Sequence, residues 1–216
     1  MTGPAGSSAD AFRFNAGRLC LDFTNTVRFR PVSERRDLIS SHGDLLAWAR
    51  QATIITPGEA ASLDAMASER PREAAVALGL ARTARESAYA LFSAHAAGLP
   101  APASELLTLN RIVGRSMARA GVVPAGRRFE WGWPGMEPDL DRVTWWVVRS
   151  SAELLTSMDL TFVRECASYD CGWLFMDTTR NRNRRWCDMR TCGNRAKSRR
   201  HYERRRAAGS DRQPVA

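Results

Sequence analysis

The alternation of apolar and polar positions divides the chain into a series of helices interrupted by short extended runs. Phe12 and Phe14 alternate with polar neighbours as a candidate strand, and Asn15-Ala16-Gly17 reads as a turn. Leu19, Phe23 and Val27 then recur at helical spacing. Asp44 reads as the N-cap of a helix carrying Leu45, Leu46 and Trp48. Thr56-Pro57-Gly58-Glu59 is a stronger start signal. It offers a capping threonine, a proline at the first helical position and a glutamate at the third, so a helix is predicted from Pro57 to about Glu69. Pro71 opens a long alanine-rich helix with Ala75, Leu78, Ala81, Arg85, Ala88 and Phe92 at helical spacing, ended by Gly98-Leu99-Pro100. A further helix over about 103–120 carries Leu106, Leu109, Ile112, Val113 and Met117. The period then shortens to two. Phe129, Trp131 and Trp133 alternate in a strand over 127–133, broken by Pro134-Gly135. Residues 141–156 read as a helix burying Val143, Val147, Leu154 and Leu155, although Val143–Val148 also fits a strand locally. The fold class expected is α+β: a mainly helical N-terminal domain with a small antiparallel sheet, followed by a C-terminal metal module.

Composition sharpens this picture. With 216 residues and 44% apolar content, the chain can bury one large core or a medium and a small one. No apolar run reaches the 18 residues that a membrane-spanning helix requires, so no membrane partner is expected. The first residues lack the basic and apolar regions of a signal peptide. The expected location is therefore the cytoplasm, where thiols stay reduced. Five cysteines, an odd count, argue against a complete disulfide framework. The composition changes near Asp159, which is taken as the domain boundary. Residues 1–10 and 207–216 read as disordered ends, leaving 11–158 and 159–206 as domains.

The net charge of +9 is concentrated at one end. Residues 180–206 hold twelve Arg or Lys against Asp188 and Glu203, while the rest of the chain is close to neutral. A neutral body with a basic end is the electrostatic pattern of a nucleic-acid partner, although a solvated cationic tail looks the same in composition.

Four of the five cysteines lie beside this basic run. Cys166 and Cys171 are separated by four residues, and so are Cys187 and Cys192, with fifteen residues between the pairs. Two close thiolate pairs on either side of a hairpin supply the four soft ligands of a tetrahedral zinc ion. Gly172 suits the sharp turn of a knuckle. Between the pairs, Trp173-Leu174-Phe175-Met176 reads as a strand and Thr178–Arg185 as a polar turn. Four thiolates leave no open coordination position, so one such ion per chain would be structural. An iron–sulfur cluster, two disulfides and reduced core cysteines are the other readings of this set. Cys20, between Leu19 and Leu21, reads as a small buried hydrophobe.

After Cys192, the proline-free stretch GNRAKSRRHYERRR predicts a helix to about Arg206. Arg195, Arg199, Tyr202 and Arg206 fall on one stripe, and Lys197, Arg200 and Arg204 on a neighbouring one. Arginine binds phosphate bidentately and reads guanine in the major groove. The candidate nucleic-acid contacts are therefore Asn194, Arg195, Lys197, Arg199, Arg200 and Arg204 on the helix, with Arg180, Arg182, Arg184 and Arg185 on the preceding turn.

At these residues the sequence resembles a known family. The string Cys187-Asp-Met-Arg-Thr-Cys192-Gly193-Asn194-Arg195, preceded by Arg184-Arg185-Trp186 and by Cys166-x4-Cys171, is similar to the CGNR zinc finger. The resemblance implies zinc ligands at Cys166, Cys171, Cys187 and Cys192. It also implies a treble-clef-like finger: a zinc knuckle and hairpin, then a helix that delivers the last ligands. Phe14, Gly17, Leu19, Leu21-Asp22-Phe23, Asn25-Thr26-Val27, Asp44-Leu45 and Trp48 resemble the ABATE domain that precedes such fingers. Cys20, Thr24 and Thr179 depart from that pattern without touching the chemistry. Proteins of this architecture are regarded as stress-induced transcription regulators.

The function expected is a transcription regulator that binds double-stranded DNA, working as a homodimer or with a partner protein because one finger reads few bases. An RNA-binding or ribosome-associated protein and a protein-docking finger are the alternatives. In the N-terminal domain, Asp22, Asn25, Trp131 and Trp145 are candidate lining for a small-molecule effector pocket, and packing or capping roles are the competing reading. Nothing points to an enzyme. There is no phosphate-binding glycine loop, dinucleotide fingerprint or GxSxG, and His42, His95 and His201 are scattered.

Overall fold

The computed structural model describes residues 12–134 and 139–210, with side chains as far as residue 205. The expected disorder of residues 1–10, the break at Gly135, the side chain of Arg206 and the end of the tail at 211–216 lie outside the described residues.

Seven helices and three two-stranded antiparallel sheets follow one another among the described residues. The central helix is α4, Pro71–Ala96, which packs against α1 (Leu19–Thr24), α2 (His42–Gln51), α3 (Pro57–Glu69), α5 (Ala103–Met117) and α6 (Arg142–Leu155). Its buried stripe runs through Ala74, Ala77, Ala81, Ala84 and Ala88, small side chains that let five neighbours approach one axis, and ends on the large ring of Phe92. Ala75, expected in this stripe, faces solvent. Arg85 is buried in the same stripe because Asp37 grips its guanidinium at 2.8 and 2.6 Å. Asp37 belongs to β2 (Arg36–Asp37), the partner of β1 (Val27–Arg28), so this ion pair fastens the first hairpin to α4.

Several boundaries differ from the sequence expectation for local reasons. Asp44 is not the N-cap of α2. Ser41 is, and Asp44 closes its capping box from the third helical position, accepting from the Ser41 N–H at 2.9 Å. The α3 bounds agree with the expectation, and Thr56 and Glu59 form the predicted box. Helix α6 is helical throughout, so Val143–Val148 is not a strand. Phe12 and Phe14 are not in a strand, and the Phe14 ring lies 6.0 Å from that of Trp48. The strand expected over 127–133 is β4, Arg128–Gly132, and it pairs with β3, Gly121–Ala125, a strand that the sequence pattern does not predict. Gly126 at φ +62° turns the hairpin. Helix α1 stops at Thr24 rather than reaching Val27.

The last feature follows from how the C-terminal module is seated. A 3-10 turn over Met158–Phe162 leads into β5 (Val163–Glu165), which pairs with β6 (Leu174–Met176). Leu174 and Met176 pack in one buried cluster with Cys20, Leu21, Ala88, Phe92 and Leu154 from the N-terminal helices. The module therefore shares a core with the preceding domain. Asn25, just past α1, seals the junction. Its side-chain amide donates to the Leu174 carbonyl at 2.8 Å, and its oxygen accepts the Leu174 N–H at 2.9 Å. Continuing α1 would have removed that amide from β6. The Met176 N–H donates to the Ala16 carbonyl at 2.8 Å, and the Trp173 indole N–H to the Val27 carbonyl at 3.0 Å. Gly17 allows this approach: at φ +89°, an added Cβ would meet Met176 at 3.1 Å.

Candidate zinc centre and nucleic-acid interface

The turn of the β5–β6 hairpin is the first half of the centre. The Cys166 N–H donates to the Trp173 carbonyl at 2.8 Å, closing the strands, and the Cys171 N–H to the Ser168 carbonyl at 3.1 Å. Gly172 leaves this turn at φ +66°, where a Cβ would meet Arg30 Cβ at 3.0 Å. The second half returns through residues 178–188. Buried Asp177 organises that return, accepting from the Thr179 N–H and hydroxyl at 3.1 and 2.6 Å and from the Arg184 N–H at 2.9 Å. Burial pushes its carboxyl up, but these bonds prevail and hold it below the usual carboxylate range. Cys192 sits in a wide turn over Met189–Gly193 that feeds α7 (Asn194–Ser210), and Asp188 caps this turn through the N–H groups of Arg190 and Thr191.

These elements bring the sulfurs of Cys166, Cys171, Cys187 and Cys192 within 4.8 Å of one another, all buried. Cys171 and Cys187 are 3.7 Å apart, as are Cys187 and Cys192. Thiolates ~2.3 Å from a tetrahedral zinc stand roughly 3.8 Å apart, so the spacing fits one ion. All four are free cysteines, which removes the disulfide reading. Thiolates on separate irons of a cluster would stand further apart than those sharing one ion. Four thiols this close cannot all ionise without a cation. Contacts with neighbouring sulfurs lower Cys166 to about 7 and hold Cys192 low, while pushing Cys171 and Cys187 up. Cys20 packs in a different core cluster from this set, and burial pushes its thiol up to about 12.

Two of the expected nucleic-acid arginines serve the centre itself. Arg195 donates to Cys192 Sγ at 3.2 Å and pairs with Asp170 at 2.9 Å. Burial opposes its charge, but Cys192 and Asp170 raise its pKa above the usual value. Arg184 lies over the Phe175 ring and donates to the carbonyls of Trp186, at 2.9 Å, and Cys187. Arg182 lies over Phe162, Arg185 over Trp186 and Arg199 over Tyr169, and Arg199 also donates to Glu203 at 2.8 Å. Asn194 donates to the Arg190 carbonyl at 3.1 Å. Arg180, Lys197, Arg200 and Arg204 are exposed and form no ion pair among the described residues. Helix α7 reaches Ser210, beyond the expected end at Arg206.

The four residues expected around an effector pocket have separate surroundings. Asp22 accepts the Ala16 N–H at 2.9 Å, and burial raises its carboxyl to about 6 against that bond. Asn25 holds Leu174, as described above. Trp145 is buried with its ring 5.6 Å from that of Trp133, and Trp131 is exposed on β4. Sequence reasoning missed Arg13, Arg28 and Arg190, which line a cleft beside the centre. No local pattern joins them, since only folding brings Arg13 and Arg28 to the finger.

The fold and the four-thiol centre define a helical domain carrying a zinc finger. The model of the ABATE family, described as "Putative stress-induced transcription regulator", matches residues 17–158, and the chain belongs to that family. The CGNR zinc finger model matches residues 163–205, which contain all four cysteines. The centre is therefore the site of one structural zinc ion. Both descriptions concern regulation and metal binding, and neither names an enzymatic activity. A search of curated proteins finds no match to the chain. No described helix is long and apolar enough to cross a membrane.

Proposed function

We propose that this protein is a transcription regulator that binds double-stranded DNA through α7, working in the cytoplasm at the nucleoid and without catalytic activity. The observation that carries the reading is the exposed row of Lys197, Arg200 and Arg204 on a helix whose first turn is fixed to the zinc centre. A rigid anchor holds these cations at a defined angle to the body, as phosphate positioning and groove insertion require. Arg180 and Arg185 on the preceding turn extend the same charge. In this reading zinc supplies folding energy and orientation, in a treble-clef-like arrangement of hairpin knuckle and helix. Arg184 and Arg195 set the helix rather than touch DNA.

One finger covers few base pairs, so specificity calls for a second copy. The exposed strip of Val122, Pro124, Phe129 and Trp131 on one face of the β3–β4 hairpin is the surface such a homodimer would use. Light scattering of the wild type and of F129E/W131E tests this, and a monomer in both would remove the dimer.

Selection of the zinc-loaded protein against random duplex DNA, followed by affinities across a salt series, tests the main reading. An enriched motif with salt-sensitive binding supports it. Tighter binding to single-stranded RNA would replace DNA with RNA, and salt-independent association with neither would leave a protein-docking finger.

A further inference from the structure

Where the N-terminal domain meets the finger, a cleft of about 600 Å3 opens beside the zinc centre. Arg13, Arg28 and Phe29 line it from the N-terminal domain, and Arg190, Asn194 and Ser198 from the finger. Trp173 and the ligand cysteines Cys171, Cys187 and Cys192 also border it. The Trp173 indole N–H is engaged by the Val27 carbonyl and the residue is only 7% exposed, so it adds no more than a narrow apolar margin. Phe29, 37% exposed, sits at φ +57°, a left-handed conformation that bulky side chains rarely adopt and that concentrates at ligand sites.

Four arginines, Arg13, Arg28, Arg190 and Arg195, line the cleft. Burial and the nearby Arg13 and Arg36 lower the Arg28 pKa. Arg195, also in the lining, is the cation engaged by the zinc thiolates and Asp170. Arg13 shares Asp188 at 3.5 Å, and Asp188 also accepts two backbone N–H groups. Arg190 has no ion pair among the described residues. An exposed aromatic ring and concentrated arginines occur together at a domain junction, where small-molecule sites are common.

We propose that this cleft binds a small aromatic anion, a planar ring bearing a carboxylate or a phosphate ester, as the effector of the protein. The exposed Phe29 side chain would take the ring, and Arg13, Arg28 and Arg190 its charge. Occupancy would bridge the N-terminal domain to the start of α7. The binding claim does not depend on whether α7 contacts DNA.

Calorimetry on the zinc-loaded full chain, without nucleic acid, tests it with phenyl phosphate and benzoate as probes. Benzyl alcohol is the neutral control and inorganic phosphate the ringless one. Saturable one-to-one binding of at least one aromatic anion is expected, with both controls at least about tenfold weaker. R190A, an exposed substitution, should weaken that binding by about tenfold while zinc content and Tm stay unchanged. The proposal is overturned by absence of saturable binding, by a control that binds as tightly as the anion, or by wild-type affinity in an R13A/R190A double variant of unchanged Tm. It is equally overturned if neither anion binds and the same arginines prove to be DNA phosphate contacts.

Discussion

The two ends of the finger obey different physics. Its hairpin places Leu174 and Met176 in the core of the N-terminal helices, and Phe175 is buried beside the metal. Its last helix places Lys197, Arg200 and Arg204 in solvent with no ion pair among the described residues. Burial and ligation hold the first end, and among the described residues no ion pair balances Lys197, Arg200 and Arg204 on the second. Between them, Arg195 and Arg184 are engaged by the cysteine centre although their sequence neighbours suggest a free cationic surface. In a cationic run, whether an arginine serves the fold or a partner depends on whether a thiolate, carboxylate or carbonyl lies within its reach.

Removing zinc should break the comparison most completely. Structural zinc contributes on the order of 10 kcal/mol in isolated fingers, and here the hairpin it holds is part of the shared core. Chelation, or Cys187→Ser, is expected to lower the Tm of the whole chain in a single calorimetric transition. An unchanged transition for the N-terminal helices would mean that the two parts fold independently.

The junction comes next. Leu174→Ala should cost roughly 2–5 kcal/mol in urea unfolding. Asn25→Ala strands a buried N–H and a buried carbonyl on Leu174, at about 1–3 kcal/mol for each unsatisfied group. Wild-type midpoints for both variants would refute the seal assigned to them.

Arginine substitutions separate the two halves directly. Arg195→Ala should weaken zinc affinity by roughly 10–100-fold, read by competition with a chromogenic chelator. Arg200→Ala and Arg204→Ala should leave zinc affinity alone and stability within about 0.5 kcal/mol. Each should reduce the magnitude of the salt slope of DNA binding by about 0.9. Identical behaviour of the three variants in both assays would erase the distinction.

The smallest effect expected is a pH dependence of opposite sign in the two regions. Asp22 has a raised folded pKa, so the native state binds the extra proton, and its contribution falls as pH rises from about 4 to about 6. Asp177 has a lowered folded pKa, so its contribution is present above about 4, the ordinary Asp value, and is lost as pH falls through the folded pKa. Urea midpoints of Asp22→Asn should lack the first slope and those of Asp177→Asn the second. A wild-type profile in either variant would show that its carboxylate is not the source.

The sequence by itself determined the features whose causes are local. Thr56-Pro57-Gly58-Glu59 starts α3 because a capping box closes within four residues. Pro71 and Gly98 bracket α4 because one ring pre-sets φ and the other residue accepts a positive φ. The cysteine spacing marked a metal site because paired ligands must lie on short loops. Tertiary structure decided where distant segments meet. It ended α1 at Thr24 so that Asn25 could bond Leu174, and it gave β4 a partner whose strand pattern Pro124 interrupts in the sequence. It also drew Arg184 and Arg195 to the metal, and set Arg13 and Arg28 beside Arg190. Hydrophobic period and capping act over a few residues and are written in local sequence. Partners chosen by packing and electrostatics act between residues that only the folded core brings together.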